Sequence, residues 1–236
     1  MVLKIQPKHG KKPIVLFSYI PRTGGTWMRE VLDGLGLYYR FWKHGLRPNL
    51  AMAHTLLSTH YRKPAADEVD FIFSFVRNPF TWYESTWRIL HEERWRTRTA
   101  RYDWHPHKTA AMTWHPDFNV WLTRMVNTEP SLYTRLVELY IGPEGESYCD
   151  YVGKFENLYH DTAEMLHLSG VMSSNAVKLD SSIPPLNVTD LEKYLHLKFP
   201  KLVNASKKVP IEWSDENHVA IYQSEVPILR RFYTSQ

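Results

Sequence analysis

Apolar positions along this chain fall into two patterns, short unbroken runs and helically spaced stripes, and the two alternate. Residues 13–20, PIVLFSYI, form an unbroken run rich in β-branched and aromatic residues, the pattern of a strand buried on both faces of a parallel sheet. The turn PRTGG follows at once. After it Trp27, Met28, Val31, Leu32 and Leu35 recur at helical spacing, with Gly34 and Gly36 placed to end a helix. The same order returns in FIFSFVRNP (71–79): an apolar strand, then Asn78-Pro79 as a helix-start signal, with a helix expected from about Thr81. LLSTHY (56–61) reads as a further strand between the two, and VGKF (152–155) as another. Helical stripes occupy 118–126, 131–141, 158–171 and 216–233. Strands alternating with helices predict an α/β fold in three layers, a central parallel sheet flanked by helices, with ligands at the carboxyl ends of the strands.

One stretch breaks the pattern. Residues 92–117 are rich in Arg, His and Trp with little apolar periodicity, and they read as a long loop or lid, an insertion for binding an acceptor. No internal repeat, low-complexity tract or Gly/Ser linker divides the rest, so 1–236 reads as one domain.

Composition narrows the function classes. With 43% apolar and 14% aromatic residues, the 236-residue chain lies far from disordered compositions. No apolar run approaches the ~18 residues that span a bilayer, and the N-terminal twelve residues lack a secretory pattern, so a cytoplasmic protein without a membrane partner is expected. In that setting the sequons at Asn187 and Asn204 are chance matches. Cys149 is the one cysteine, which excludes an internal disulfide and any site needing two thiolates. A balance of 29 basic against 25 acidic side chains, +4 overall, is too weak to argue for nucleic acid and suits a small polyanion equally well.

PRTGGTWM (21–28) has the parts of an anion cradle. Gly24 and Gly25 permit a tight turn, so that backbone N–H groups and the start of the next helix converge on one phosphate, while Arg22 and Thr26 add donors. It lacks the length and the lysine of a nucleoside-triphosphatase loop. The segment resembles the 5′-phosphosulfate loop of sulfotransferases, P-K-[ST]-G-[ST]-T-W, with arginine in place of the usual lysine. The resemblance implies a P-loop-like sulfotransferase fold and 3′-phosphoadenosine-5′-phosphosulfate (PAPS) as donor, with adenosine 3′,5′-bisphosphate (PAP) as product. It assigns the 5′-phosphate to Thr23, Gly24, Gly25 and Thr26, contact with the transferring group to Arg22, and stacking on adenine to Trp27.

Two further segments extend the resemblance. FVRNPFTWYESTWR (75–88) is similar to the family's 3′-phosphate motif, with Arg77 at a strand end and Ser85 eight positions on, where both can close on one dianionic phosphate. In LSTHYRKP (57–64), His60 resembles the family's strand-end general base, and an imidazole titrating near ~6.5 can take a proton from an attacking hydroxyl. Ser58 stands where a helper lysine is usual. Glu30 and His54 are the alternative bases. DYVGKFENLYHD (150–161) is similar to a segment of membrane-bound and bacterial relatives, and Lys207 and Lys208 occupy a region where relatives carry basic residues near the 3′-phosphate.

His105, His107 and His115 match no metal-ligand template, and no metal is expected. Trp82, Trp87, Trp95, Trp104, Trp114 and Trp121 offer flat faces for a sugar or aromatic alcohol, with Trp121 the strongest candidate for the core. The expected activity is sulfuryl transfer from PAPS to a hydroxyl, less readily an amine, of a small-molecule or carbohydrate acceptor. Two alternatives stand beside it: an ATP-dependent kinase-like phosphotransferase, and a non-catalytic nucleotide-binding relative.

Overall fold

The apolar run at 71–76 becomes the middle strand of a parallel sheet. A computed structural model describes residues 15–35, 71–101, 107–171, 187–200 and 209–234. Their elements are β1 (Val15–Ser18), α1 (Gly25–Gly34), β2 (Phe71–Val76), α2 (Pro79–Leu90), α3 (Glu93–Arg101), α4 (Lys108–Met112), α5 (Phe118–Thr128), α6 (Leu132–Ile141), β3 (Tyr151–Lys154), a 3₁₀ turn (Phe155–Asn157), α7 (Leu158–Leu168), α8 (Val188–Lys198), α9 (Asp215–Ser224) and a short α10 (Val226–Ile228) running into a π turn (Leu229–Tyr233). The chain is thus α/β, with a three-stranded parallel sheet among the described residues and many helices. The strand expected at 56–61 lies outside the described residues, and with it His54, Ser58 and His60; Trp104, His105, Lys207 and Lys208 lie outside as well. Among the described residues no helix is long and apolar enough to cross a membrane.

Two compact units emerge, Met1–Val76 with Ser147–Val203 and Arg77–Glu146 with Asn204–Gln236. The first holds the sheet, in the order β1-β2-β3, with Val15 opposite Phe71 and Val76 opposite Lys154. All six residues of β2 are buried, which is why its sequence shows no polar alternation. Its one polar side chain, Ser74, is satisfied by donating to the Ser18 carbonyl at 2.6 Å. Phe17 and Phe73 stack across β1 and β2 at 4.9 Å. Against this sheet unit pack Trp27, Val31 and Leu32 of α1, Met165 and Leu166 of α7, and Leu191 and Leu195 of α8. Burying each such aliphatic side chain contributes about 1.5–3 kcal/mol.

The second unit is helical and rich in buried aromatics. Trp82, Tyr83, Trp121 and Tyr133 are fully buried, and Trp82 stacks on Tyr133 at 4.6 Å. Glu225, also fully buried, joins three elements: it accepts from the Tyr83 hydroxyl (2.6 Å) and from the amides of Tyr133 (3.3 Å) and Thr134 (2.8 Å). Burial pushes its carboxyl above the ordinary value, against the opposing pull of these donors, and the same burial pushes the Tyr83 hydroxyl well up.

The expected loop at 92–117 is overturned where it is described, because α3 and α4 are helices. Arg, Glu and Ala are good helix formers, and α3 needs no apolar stripe, since of its residues Thr99 alone is buried. Arg96 anchors it, lying over the Trp114 ring at 3.9 Å and donating to the Leu90 carbonyl. Ala110 and Ala111 of α4 are buried, and the Ala110 carbonyl accepts from the Trp121 indole at 2.8 Å. The predicted single helix at 216–233 breaks at Glu225, two residues before Pro227.

Candidate functional site

The turn between β1 and α1 is built on two left-handed residues. Arg22 has φ +73° and Gly24 φ +91°, left-handed conformations of the kind that anion-binding turns use. The Thr23 hydroxyl, fully buried, donates to the Ile20 carbonyl at 2.7 Å and locks the turn. Of the side chains expected to face a phosphate, Thr23 therefore faces inward and Thr26 is exposed. A Cβ on Gly25 would lie 1.9 Å from the Tyr19 ring, so only glycine fits there. Gly24 sits above Phe155 and Leu158, at the junction after β3.

The turn delivers the start of α1 without a cap. Among the described residues no side-chain cap bond is made at Gly24, no acidic residue stands in the first turn, and the Met28 amide donates to the Gly24 carbonyl. Uncapped N–H groups together with the helix dipole attract an anion. Trp27 departs from the expected role. Its indole is 3% exposed, donates to the Phe199 carbonyl at 2.7 Å and meets Tyr159 edge-on at 5.0 Å. The ring assigned to adenine stacking thus packs in the core and fixes α1 from within. Glu30 is exposed on α1.

In the second unit, Arg77 immediately follows the last residue of β2, and hydrogen bonds from its amide and its side chain place it. Its amide donates to the Tyr133 hydroxyl at 2.7 Å, and its Nε donates to Thr81 Oγ1 at 3.0 Å, which in turn donates to the Asn78 carbonyl. Asn78 caps α2 by accepting from the Phe80 amide, with Pro79 in the first turn. Thr81 and Ser85, four apart, share one side of α2, and Arg77, which precedes the helix, reaches that side through its bond to Thr81; Ser85 is buried. Thr81 and Tyr133 are the site residues that sequence reasoning missed. For Thr81 the signal was its position one turn after Arg77, whereas Tyr133 lies far away in sequence. The loop belongs to the first unit and Arg77 with Ser85 to the second, each placed within its own.

The described histidines of 105–115 serve structure. His107 is buried with its ring 5.2 Å from Trp82, and His115 Nδ1 accepts from the Asp117 amide. Trp82, Trp87 and Trp121 are buried, which removes them from an acceptor surface; Trp95 and Trp114 remain partly exposed. Elsewhere His160, Asp161 and Glu164 bring candidate ligand atoms within 4.8 Å of one another. Each already has a protein partner: His160 bonds Glu192 at 3.0 Å, Asp161 accepts from the Lys154 amide at 2.5 Å, and Glu164 accepts from the Tyr151 hydroxyl at 2.8 Å. The bond to Glu192 raises the His160 pKa, and burial raises that of Asp161.

No family model, curated protein or solved structure matches the chain.

Proposed function

We propose that this chain is a sulfotransferase with a P-loop-like fold, transferring a sulfuryl group from PAPS to a hydroxyl. The observation that carries the reading is the uncapped start of α1 beneath a turn with two left-handed residues, directly after the first strand of a parallel sheet. The placement of Arg77 by Thr81, on the side of α2 that also carries Ser85, supports a second anion contact of the kind a 3′-phosphate requires.

In this reading the amides at the start of α1, with Thr26 and Arg22, bind the 5′-phosphate side of the donor. Trp27 holds the helix rather than the adenine. As the acceptor oxygen attacks sulfur in line, the bond from sulfur to the phosphate oxygen breaks. Arg22 and the amides stabilise the charge left on that phosphate. His60 takes the acceptor's proton. Arg77 and Ser85 select the 3′-phosphate and so discriminate against ATP.

Calorimetric titration with adenosine 3′,5′-bisphosphate, 5′-ADP and ATP without magnesium tests it. The expected result is binding of the bisphosphate alone, lost in Arg77→Ala. Equal or tighter binding of ATP would point to a phosphotransferase instead. Bisphosphate binding with no transfer to any acceptor would leave a non-catalytic binding module.

A further inference from the structure

Helices α7 and α8 pack into one core, Met165 and Leu166 of the first with Leu191 and Leu195 of the second, and each carries two metal-ligating side chains one turn apart. On α7 these are His160 and Glu164; on α8 they are Glu192 and His196. Residues four apart share one face of a helix, the arrangement by which two helical histidines hold zinc. The two pairs meet across the helices. His160 Nδ1 lies 3.0 Å from Glu192 Oε2, and the other oxygen of Glu192 lies 3.9 Å from His196 Nε2. His160 and Glu164 bring ligand atoms within 4.8 Å of each other. Among the described residues no lysine or arginine pairs with either glutamate.

We propose that His160, Glu164, Glu192 and His196 form a site for one divalent transition ion of the zinc class, which clasps α8 to α7. Ligand atoms ~2.1 Å from one ion, at angles of roughly 90–110°, stand ~3.0–3.4 Å apart. The 3.0 Å between His160 and Glu192 already has that spacing, and an ion there replaces the proton the two groups share. Outer contacts orient the other ligands, as they do in metal sites. The His196 ring stacks on Tyr159 at 3.6 Å, and the Tyr151 hydroxyl donates to Glu164 Oε2 at 2.8 Å, leaving Oε1 for the ion. Two imidazoles with two carboxylates select zinc and its neighbours over magnesium and calcium, which take oxygen ligands. As an ion pair alone the His160–Glu192 contact contributes little, because its side chains are 56% and 32% exposed. The same exposure gives an ion access from solution. Asp161 lies as near to His160 as Glu164 does, but its carboxylate is buried and spent on the Lys154 amide. The site is independent of the sulfuryl-transfer reading, in which none of the four residues has a part. Its occupancy bears on α1 all the same, since Phe199, which ends α8, accepts through its carbonyl from the Trp27 indole at 2.7 Å.

The test is titration of the full chain, first stripped of metal with a chelator, with Zn²⁺ against a chromophoric zinc indicator. It compares wild type with His160→Ala, His196→Ala and Glu192→Gln, and with His167→Ala, an exposed histidine of α7 outside the cluster. Both cluster histidines are more than half exposed, and an unchanged thermal melt without metal shows that each variant is folded. Wild type is expected to bind one zinc per chain ahead of any other and to melt at a higher temperature with it. His160→Ala, His196→Ala and Glu192→Gln should each weaken that site at least ~10-fold and lose the rise in melting temperature, while His167→Ala keeps both. Cu²⁺ at the site should show two nitrogen ligands by electron paramagnetic resonance in wild type and one in either cluster-histidine variant. Wild-type zinc affinity in His196→Ala would overturn the clasp even if His160→Ala lost binding, because the ligands would then come from α7 alone. Equal binding of Mg²⁺ would also overturn it, as the mark of a diffuse acidic surface.

Discussion

Glu225 holds Thr134 by two hydrogen bonds to one carboxylate oxygen, from the amide at 2.8 Å and from the hydroxyl at 2.6 Å. It thereby caps α6, whose own cap residue Ser131 is left-handed and makes no side-chain cap. Glu225→Ala would strand these buried donors together with the Tyr83 hydroxyl and is expected to cost about 3–5 kcal/mol, read by urea denaturation.

The same carboxyl sets a pH dependence. Its folded pKa is raised above the ordinary 4.5, so the folded chain binds this proton more tightly than the unfolded chain. The stability it contributes is full below pH 4.5 and declines as pH rises through the folded value. The stability difference between wild type and Glu225→Gln should therefore shrink from pH 4.5 toward neutrality. A difference that grows with pH would show that the hydrogen bonds outweigh burial.

Thr81 is a positioning residue for Arg77. Thr81→Val removes the oxygen that accepts from Arg77 Nε, and the affinity for adenosine 3′,5′-bisphosphate should fall by ~3–10-fold. Thr81→Ser keeps the oxygen and should restore the affinity, which a packing role for the methyl group would not allow.

Gly25 and Tyr19 form a coupled pair. Gly25→Ala sets a methyl group against the Tyr19 ring, costs roughly 1–3 kcal/mol and should abolish bisphosphate binding by moving the start of α1. Adding Tyr19→Ala should recover part of both losses. Additive losses in the double variant would mean that the Tyr19 ring is not what excludes a side chain at Gly25.

His60→Ala should lower kcat by about 10²–10⁴ with bisphosphate affinity unchanged. Unaltered turnover would move the role of base to Glu30 or to another residue.

What was legible in the sequence follows from where each stabilising contact lies. β2 announces itself because a strand buried on both faces reads as an apolar run, β1 by the same kind of run although Leu16 and Phe17 are half-buried, and α1, α5, α6 and α7 because each buries a stripe. The helix α3 was invisible to that criterion, since its buried residue is a threonine. In α8 just Leu191 and Leu195 are buried, and its clearest signal was Asn187, whose side chain caps it by accepting from the Asp190 amide. Weighed as a sequon and set aside as a chance match, that residue was not read as the cap of the helix it starts. The spacing of Arg77 and Ser85 was local and readable. The burial of Trp27 was not, because Tyr159 and Phe199, which enclose it, come from distant parts of the chain. Glu225 likewise looks like any surface acid until residues some ninety positions away close over it.

β2 and β3 are neighbours in the sheet, yet all of residues 77–146 come between them in sequence. During synthesis, FIFSFV is therefore complete long before the strand that covers its second edge exists. Six residues with no charge and no proline, strongly disposed to extended structure, make an aggregating segment when left open. Fragments ending before Tyr151 should collect in the insoluble fraction, whereas those that include Ser147–Val203 should not. A useful dissection of this protein must keep both ends of its first unit, and its folding in the cell depends on how long that edge stays bare.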